Sequence, residues 1–192
     1  MKPATEILRH EHEAILRMLD VTEALARQLA SDQPAEPQQL DDLLEFFRTF
    51  ADRCHHGKEE DLLFPLMESK GMSRQGGPTG VMLDEHEQGR ALIRAMAEAA
   101  EDYKKAVPDA GARSAAAAAW AAAAAGYAEL LRQHIHKENN ILFVIAENML
   151  SPEEQQRLAA EFDRVETEKI GVGTHERLHK LVDRLAAEVL AK

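Results

Sequence analysis

Histidine and glutamate recur in this chain at spacings that suit metal binding. His55-His56-Gly57-Lys58-Glu59-Glu60-Asp61-Leu62-Leu63-Phe64 and His134-Ile135-His136-Lys137-Glu138-Asn139-Asn140-Ile141-Leu142-Phe143 align as H-x-x-K-E-x-x-[LI]-L-F. In a helix, residues i and i+4 stand one turn apart on one face, so His55 with Glu59 and His134 with Glu138 each present an imidazole beside a carboxylate. A shorter echo precedes each copy, Glu11-His12-Glu13 and Glu85-His86-Glu87. The order is His, HxxxE, His, HxxxE. Imidazole suits iron, zinc and copper, and carboxylates can bridge two cations, so four His and two Glu can hold a pair of metals with coordination positions left over.

A single His-Glu spacing on a charged helix is commonly a surface ion pair. Two aligned copies, each with an upstream histidine, argue for ligands instead. His56 and Glu60 offer a rival HxxxE one residue along, but Lys58, Leu63 and Phe64 match Lys137, Leu142 and Phe143 only when His55 is aligned with His134. His10, His56 and His136 then become solvent-facing groups or hydrogen-bonding neighbours of the ligands. Glu11, Glu13, Glu85 and Glu87 are expected to solvate the helix surface. A carboxylate buried beside Leu62 and Ile141 would be costly without a counter-charge, and a metal pair supplies one.

Other groups flank this set. Tyr127, Phe47 and Ala51 point along the ligand face toward one end of the helices, either as core packing or as the lining of an entrance. Cys54 adjoins a ligand on another side of its helix and reads as a small buried residue, with redox sensing the lesser role. His175 and His179, with Glu166 and Glu168 upstream, form a second constellation, read as part of a lid rather than a metal site.

The elements that would position these residues are helical, because no stretch keeps the period-two alternation of a strand. A first helix is expected from about residue 5 to 30 and a second from 38 to 69, kinked at Pro65. A third is expected over 81–107 and a fourth from 112 or 114 to 150, opening on an alanine-rich run that lets a neighbour approach closely. Residues 1–150 thus read as an all-α, up-down-up-down four-helix bundle with one site-bearing segment per helix. Residues 151–192 form a C-terminal helical extension packed on the bundle or on a partner subunit. Ser151 caps its first helix and Thr174 its second.

The 192 residues are 45% hydrophobic and 30% charged, enough for one domain with a sizeable core, and the formal net charge is −11. That charge argues against nucleic acid or an anionic membrane surface as a partner, which need clustered Lys and Arg. The single cysteine cannot close an intramolecular disulfide, no signal-peptide pattern opens the chain, and no run is long and apolar enough to span a bilayer. A reducing cytoplasm is expected, and a homodimer through the alanine-rich face or the last helix fits the pattern.

The ordered motifs resemble the hemerythrin-like (HHE cation-binding) family, whose four antiparallel helices bury a non-haem di-iron site. The match runs over about residues 5 to 150. Carried over position by position, it makes His12, His55, Glu59, His86, His134 and Glu138 the metal ligands, holding two iron ions joined by an oxo or hydroxo bridge. Zinc or manganese would also suit these donors. Oxygen-carrying members have HxxxH in the third helix and HxxxxD in the fourth, whereas this chain has Arg90 four after His86 and ends in HxxxE. The resemblance therefore implies binding or reduction of a small oxidant (dioxygen, peroxide or nitric oxide) with an unidentified electron donor, rather than simple oxygen transport. The alternatives are an iron- or oxygen-sensing or storage module without turnover, and an iron donor of the iron-sulfur repair type. The last is less expected because this sequence opens directly on the first helix.

Overall fold

The computed structural model describes residues 2–106 and 109–191. It is all-α. Helix α1 is Ala4–Ala30, α2 covers 37–69, α3 is Pro78–Lys105, α4 covers 110–149, α5 covers 152–171 and α6 is Thr174–Leu190. Val107 and Pro108, where the third helix was expected to end, and Lys192 at the end of the last segment lie outside the described residues.

Local chemistry sets most of these limits. Pro37, Pro78 and Pro152 each sit in the first turn of a helix, where a missing N–H costs nothing. The Asp109 carboxylate accepts from the N–H groups of Gly111 and Ala112 at the start of α4. Ser151 and Glu154 form a reciprocal cap on α5. Thr174 does not cap α6. It is the first helical residue, the chain enters through Gly173 at φ 81°, and the Thr174 hydroxyl donates to the Ile170 carbonyl.

Both metal-motif segments are wound as wide, π-type turns, Glu59–Leu63 and Glu138–Leu142. In each, an N–H five residues on, Phe64 or Phe143, bonds to the carbonyl of the motif glutamate. The expected role of Pro65 is thereby changed, because the second copy has the same wide turn with Val144 in the proline's place. Such turns gather at functional sites because they alter where side chains point without ending the helix.

Contacts along the helices fix their pairing. Asp32 meets Ser114, Asp20 meets Arg132 and Thr5 meets Glu147, so α1 and α4 run antiparallel. Asp41 with Lys104 and Asp52 with Arg90 place α2 antiparallel to α3. The Ala-rich start of α4 buries Ala117, Trp120, Ala121 and Ala124. The core is in two pieces. One holds Ile15, Leu19, Phe46, Phe47, Trp120 and Tyr127 together with Leu178, Val182 and Leu185 of α6. The other holds Leu8, Phe64 and Phe143 with Leu158 and Phe162 of α5. His12, lying between Leu8 and Ile15, belongs to a polar layer that separates the two.

Candidate metal centre

His12, His55, Glu59, His86, His134 and Glu138 all lie in that layer, each at most 1% exposed. They form two imidazole pairs. The Nε2 atoms of His12 and His55 are 2.9 Å apart, and those of His86 and His134 are 3.1 Å apart. Glu138 sets Oε2 3.1 Å from His12 Nε2 and Oε1 3.1 Å from His134 Nε2. Glu59 does the same at 3.6 Å, Oε1 toward His55 and Oε2 toward His86. Each carboxylate thus offers one oxygen to each pair.

Nδ1 of every ring is already engaged. His55 Nδ1 donates to Glu11 at 2.8 Å and His134 Nδ1 to Glu85 at 2.9 Å. His86 Nδ1 donates to Glu60 at 2.6 Å and His12 Nδ1 to the Asn139 amide oxygen at 2.9 Å. These bonds leave the four Nε2 lone pairs facing inward. All four oxygens of Glu59 and Glu138 are buried without a hydrogen-bond partner. Lone pairs at 2.9 to 3.1 Å beside orphaned carboxylates repel one another unless a cation stands between them, so the donor set fits a metal pair.

The repeat accounts for nearly every motif position. Glu11 and Glu85, expected to be surface groups, are instead the acceptors for the motif histidines, and the motif lysines explain why: Lys58 pairs with Glu11 and Lys137 with Glu85. Glu60 and Asn139, equivalent positions, each reach the upstream histidine of the other half. Phe64 lies over the His86 ring and Phe143 over His12, at centroid distances of 6.0 and 5.5 Å. Glu13 and Glu87 do stay on the surface, paired with His10 and Arg90. The shared lysine, and the glutamate just before each upstream histidine, were the legible signals. Ile141, expected beside a buried carboxylate, is 52% exposed, whereas its neighbour Leu142 and the equivalent Leu63 are buried in the second apolar cluster.

Two features break the symmetry. Lys58 is fully buried because Glu166 of α5 accepts from it at 2.5 Å and Phe162 covers it, whereas Lys137 is one-third exposed. Arg90 bonds to Asp52 at 2.8 Å and to Glu60 at 2.7 Å, where α1 has Leu16 at the equivalent place. His10 and His136 are exposed, but His56 is buried and its ring lies flat on His86, centroids 3.9 Å apart. His175 approaches Glu11 at 3.8 Å, with its ring and that of His179 against Phe50. Of the groups expected to form a lid, His175 thus meets the outer acceptor Glu11.

With these side chains alone, burial, reinforced by the neighbouring imidazole, lowers His55 to about 4 and His86 to about 3. For His134 burial is outweighed by Glu138 and Glu85, which raise it to about 9. Burial and the charge of Glu138 push Glu59 well above the usual carboxylate range. Burial lifts the Cys54 thiol to about 12, which fits an inert core residue.

A cavity of about 190 Å³ reaches the layer at His56 and His86. Phe47, Tyr127, Gly89, Ile93 and Asp52 line it, with Arg48, Arg90 and Arg94. Phe47 and Tyr127 pack edge to face within it, 4.7 Å between centroids. Ala51 is not part of the lining.

A family model described as Hemerythrin HHE cation binding domain matches residues 4–146. Uncharacterized protein Rv1995 of Mycobacterium tuberculosis (strain ATCC 25618 / H37Rv) is 25% identical over 171 residues, which is 88% of this chain and 63% of that protein. Iron-sulfur cluster repair protein YtfE of Escherichia coli O81 (strain ED1a) is 28% identical over 151 residues, 73% of this chain and 65% of that one. The chain spans less than two thirds of the length of either relative. No helix among the described residues is long and apolar enough to cross a membrane.

Proposed function

The chain belongs to the hemerythrin HHE cation-binding domain family, and from that membership we propose that it holds two iron ions and binds or reduces a small oxidant such as dioxygen, peroxide or nitric oxide. The observation that supports two adjacent ions is the placement of Glu59 and Glu138, each with one oxygen toward either imidazole pair. His12 and His55 would hold one ion, His86 and His134 the other. The ions would supply Lewis acidity and electrons.

The chain's own residues do the rest. Glu11, Glu60, Glu85 and Asn139 fix the tautomer and tilt of the four rings by accepting hydrogen bonds from their Nδ1–H groups. Phe64, Phe143 and the two apolar clusters keep bulk water from the layer. The cavity beside His86 suits a diatomic molecule or a peroxide by size, and Arg90, held by Asp52 and Glu60, gives its wall a positive charge that favours an anionic or polarised ligand. In this reading residues 151–192 cover the Lys58 side of the site and donate no ligand. The electrons come from a separate reductant in a reducing cytoplasm.

The test is metal analysis with an optical spectrum of the isolated protein, followed by peroxide and nitric-oxide turnover by the iron-loaded form. About two irons per chain with turnover supports the reading. Zinc alone, or two irons without reactivity toward any of the three, overturns it. The similarity to an iron-sulfur cluster repair protein favours a second reading, donation of iron. Transfer of iron from the loaded chain to an apo iron-sulfur protein distinguishes it.

A further inference from the structure

We propose that the cavity beside His86 is a binding site for a small organic carboxylate, its charged end held at the mouth by Arg48 and Arg94 and its apolar body reaching inward. The inference goes beyond the small oxidant and does not depend on which ion the polar layer holds. The cavity is larger than an oxidant requires. Its volume is about 190 Å³, whereas a dry engineered cavity of about 150 Å³ already admits benzene and a water takes about 30 Å³.

Helix register explains its shape. Across the seam between α2 and α3, the His56 ring lies on His86 and Asp52 bonds to Arg90. One turn further out, the same antiparallel register sets Arg48 opposite Arg94, and both line the cavity. The stretch of α3 from His86 to Arg94 spans about 12 Å, at about 1.5 Å per residue. Phe47, Ile93 and Tyr127, all buried, give the space between an apolar wall. Tyr127 makes no hydrogen bond among the described residues, which leaves its hydroxyl for a water or a ligand oxygen.

Charge selects the ligand. Three arginines and one acid, Asp52, line the cavity, and Arg90 is already shared among Asp52, Glu60 and Glu87. Arg48 and Arg94 are exposed and have no carboxylate partner among the described residues. The acids that share a neighbouring groove with Arg48 bond elsewhere, Asp41 and Glu101 to Lys104 and Glu45 to Arg177. In a chain of net charge −11, two guanidinium groups without acids flanking one opening favour an incoming anion. A guanidinium pairs with a carboxylate through two parallel hydrogen bonds, and the buried walls then take the ligand's carbon chain out of water. An inorganic anion would leave those walls bare.

The test titrates the full chain by calorimetry with octanoate, with neutral 1-octanol and with acetate. Octanoate should bind once per chain, at least about tenfold more tightly than either, and should shift the methyl resonances of Ile93. Arg48→Gln combined with Arg94→Gln should weaken octanoate by at least about tenfold and leave octanol unchanged. Both arginines are exposed, so the double variant is expected to fold; if it does not, the wild-type comparison decides alone. Octanol as tight as octanoate would mean apolar adsorption, acetate as tight would mean a plain anion site, and either overturns the inference. So does octanoate held equally by the double variant, or an Ile93 signal that does not move. The two-iron reading is untouched by any of these results and stands or falls on its own metal content and turnover.

Discussion

Glu138 and Glu59 face each other across the polar layer as a matched pair whose carboxyl groups are shifted in opposite directions. Glu138 is 3.1 Å from both its imidazole nitrogens and Glu59 is 3.6 Å from both of its own. Burial would raise Glu138, but His134 and His12 outweigh it and hold the group well below the usual range. Glu59, buried beside that negative charge, is pushed up. Two carboxylates this close do not both ionise unless cations join them.

Removing either carboxylate should therefore remove a metal. Glu138→Gln and Glu59→Gln keep the shape and lose the charge, and each is expected to lower the metal content from about two ions per chain to about one or none. Elemental analysis after gel filtration checks this. Two ions retained in both variants would show that neither glutamate bridges.

Glu11 and Glu85 should act alike on the metals and differently on stability. Glu11→Gln and Glu85→Gln should each weaken one metal by about 10- to 100-fold, as lost imidazole acceptors do. Glu13→Gln should not. Glu11→Gln also strips a partner from the buried Lys58, at up to about 3 kcal/mol. Glu85→Gln leaves the part-exposed Lys137 solvated and should cost under about 1 kcal/mol. Metal titrations and denaturant melts of the three variants separate the two effects, and equal stability losses for Glu11→Gln and Glu85→Gln would contradict the burial argument.

The pH response of metal-free protein should have two limbs. His134, raised to about 9, contributes stability that is full below its unfolded value of about 6.5 and is lost as pH rises through about 9. His55 and His86, lowered to about 4 and about 3, contribute stability present above about 6.5 and lost as pH falls toward 4 and 3. Metal uptake near neutral pH should accordingly release a proton from His134, with affinity falling about tenfold per pH unit below 9 and more steeply near 4. Calorimetry in buffers of different ionisation enthalpy measures the release. No proton released at pH 8 would contradict it.

Gly89 offers a way to narrow the cavity without unfolding the chain. A Cβ there would meet Tyr127 Cε2 at 3.5 Å, an ordinary contact, and alanine is the better helix former by about 1 kcal/mol. Gly89→Ala should raise the melting midpoint by about 2 to 4 °C and slow association of nitric oxide with the iron-loaded protein. Unchanged association rates would show that ligands reach the site by another path.

The all-α class and the family were legible in the residues themselves, because 3.6-residue periodicity and an ordered set of His and Glu survive in one dimension. The aligned repeat also selected His55 over His56 as the partner of His134, a choice of register that needs no coordinates. What the sequence left open were contacts between helices. Glu11 reads as a surface acid beside a ligand, and only the packing of α1 against α2 buries it under the His55 imidazole. Glu60 and Asn139 reach across to the opposite half, which no spacing within one helix can reveal. His56 read as a surface group or a neighbour of the ligands, and only the packing of α2 against α3 buries its ring flat on that of His86. Lys58 and Lys137 are the same residue in the same motif, and only the covering helix α5 decided that one is buried and the other is not.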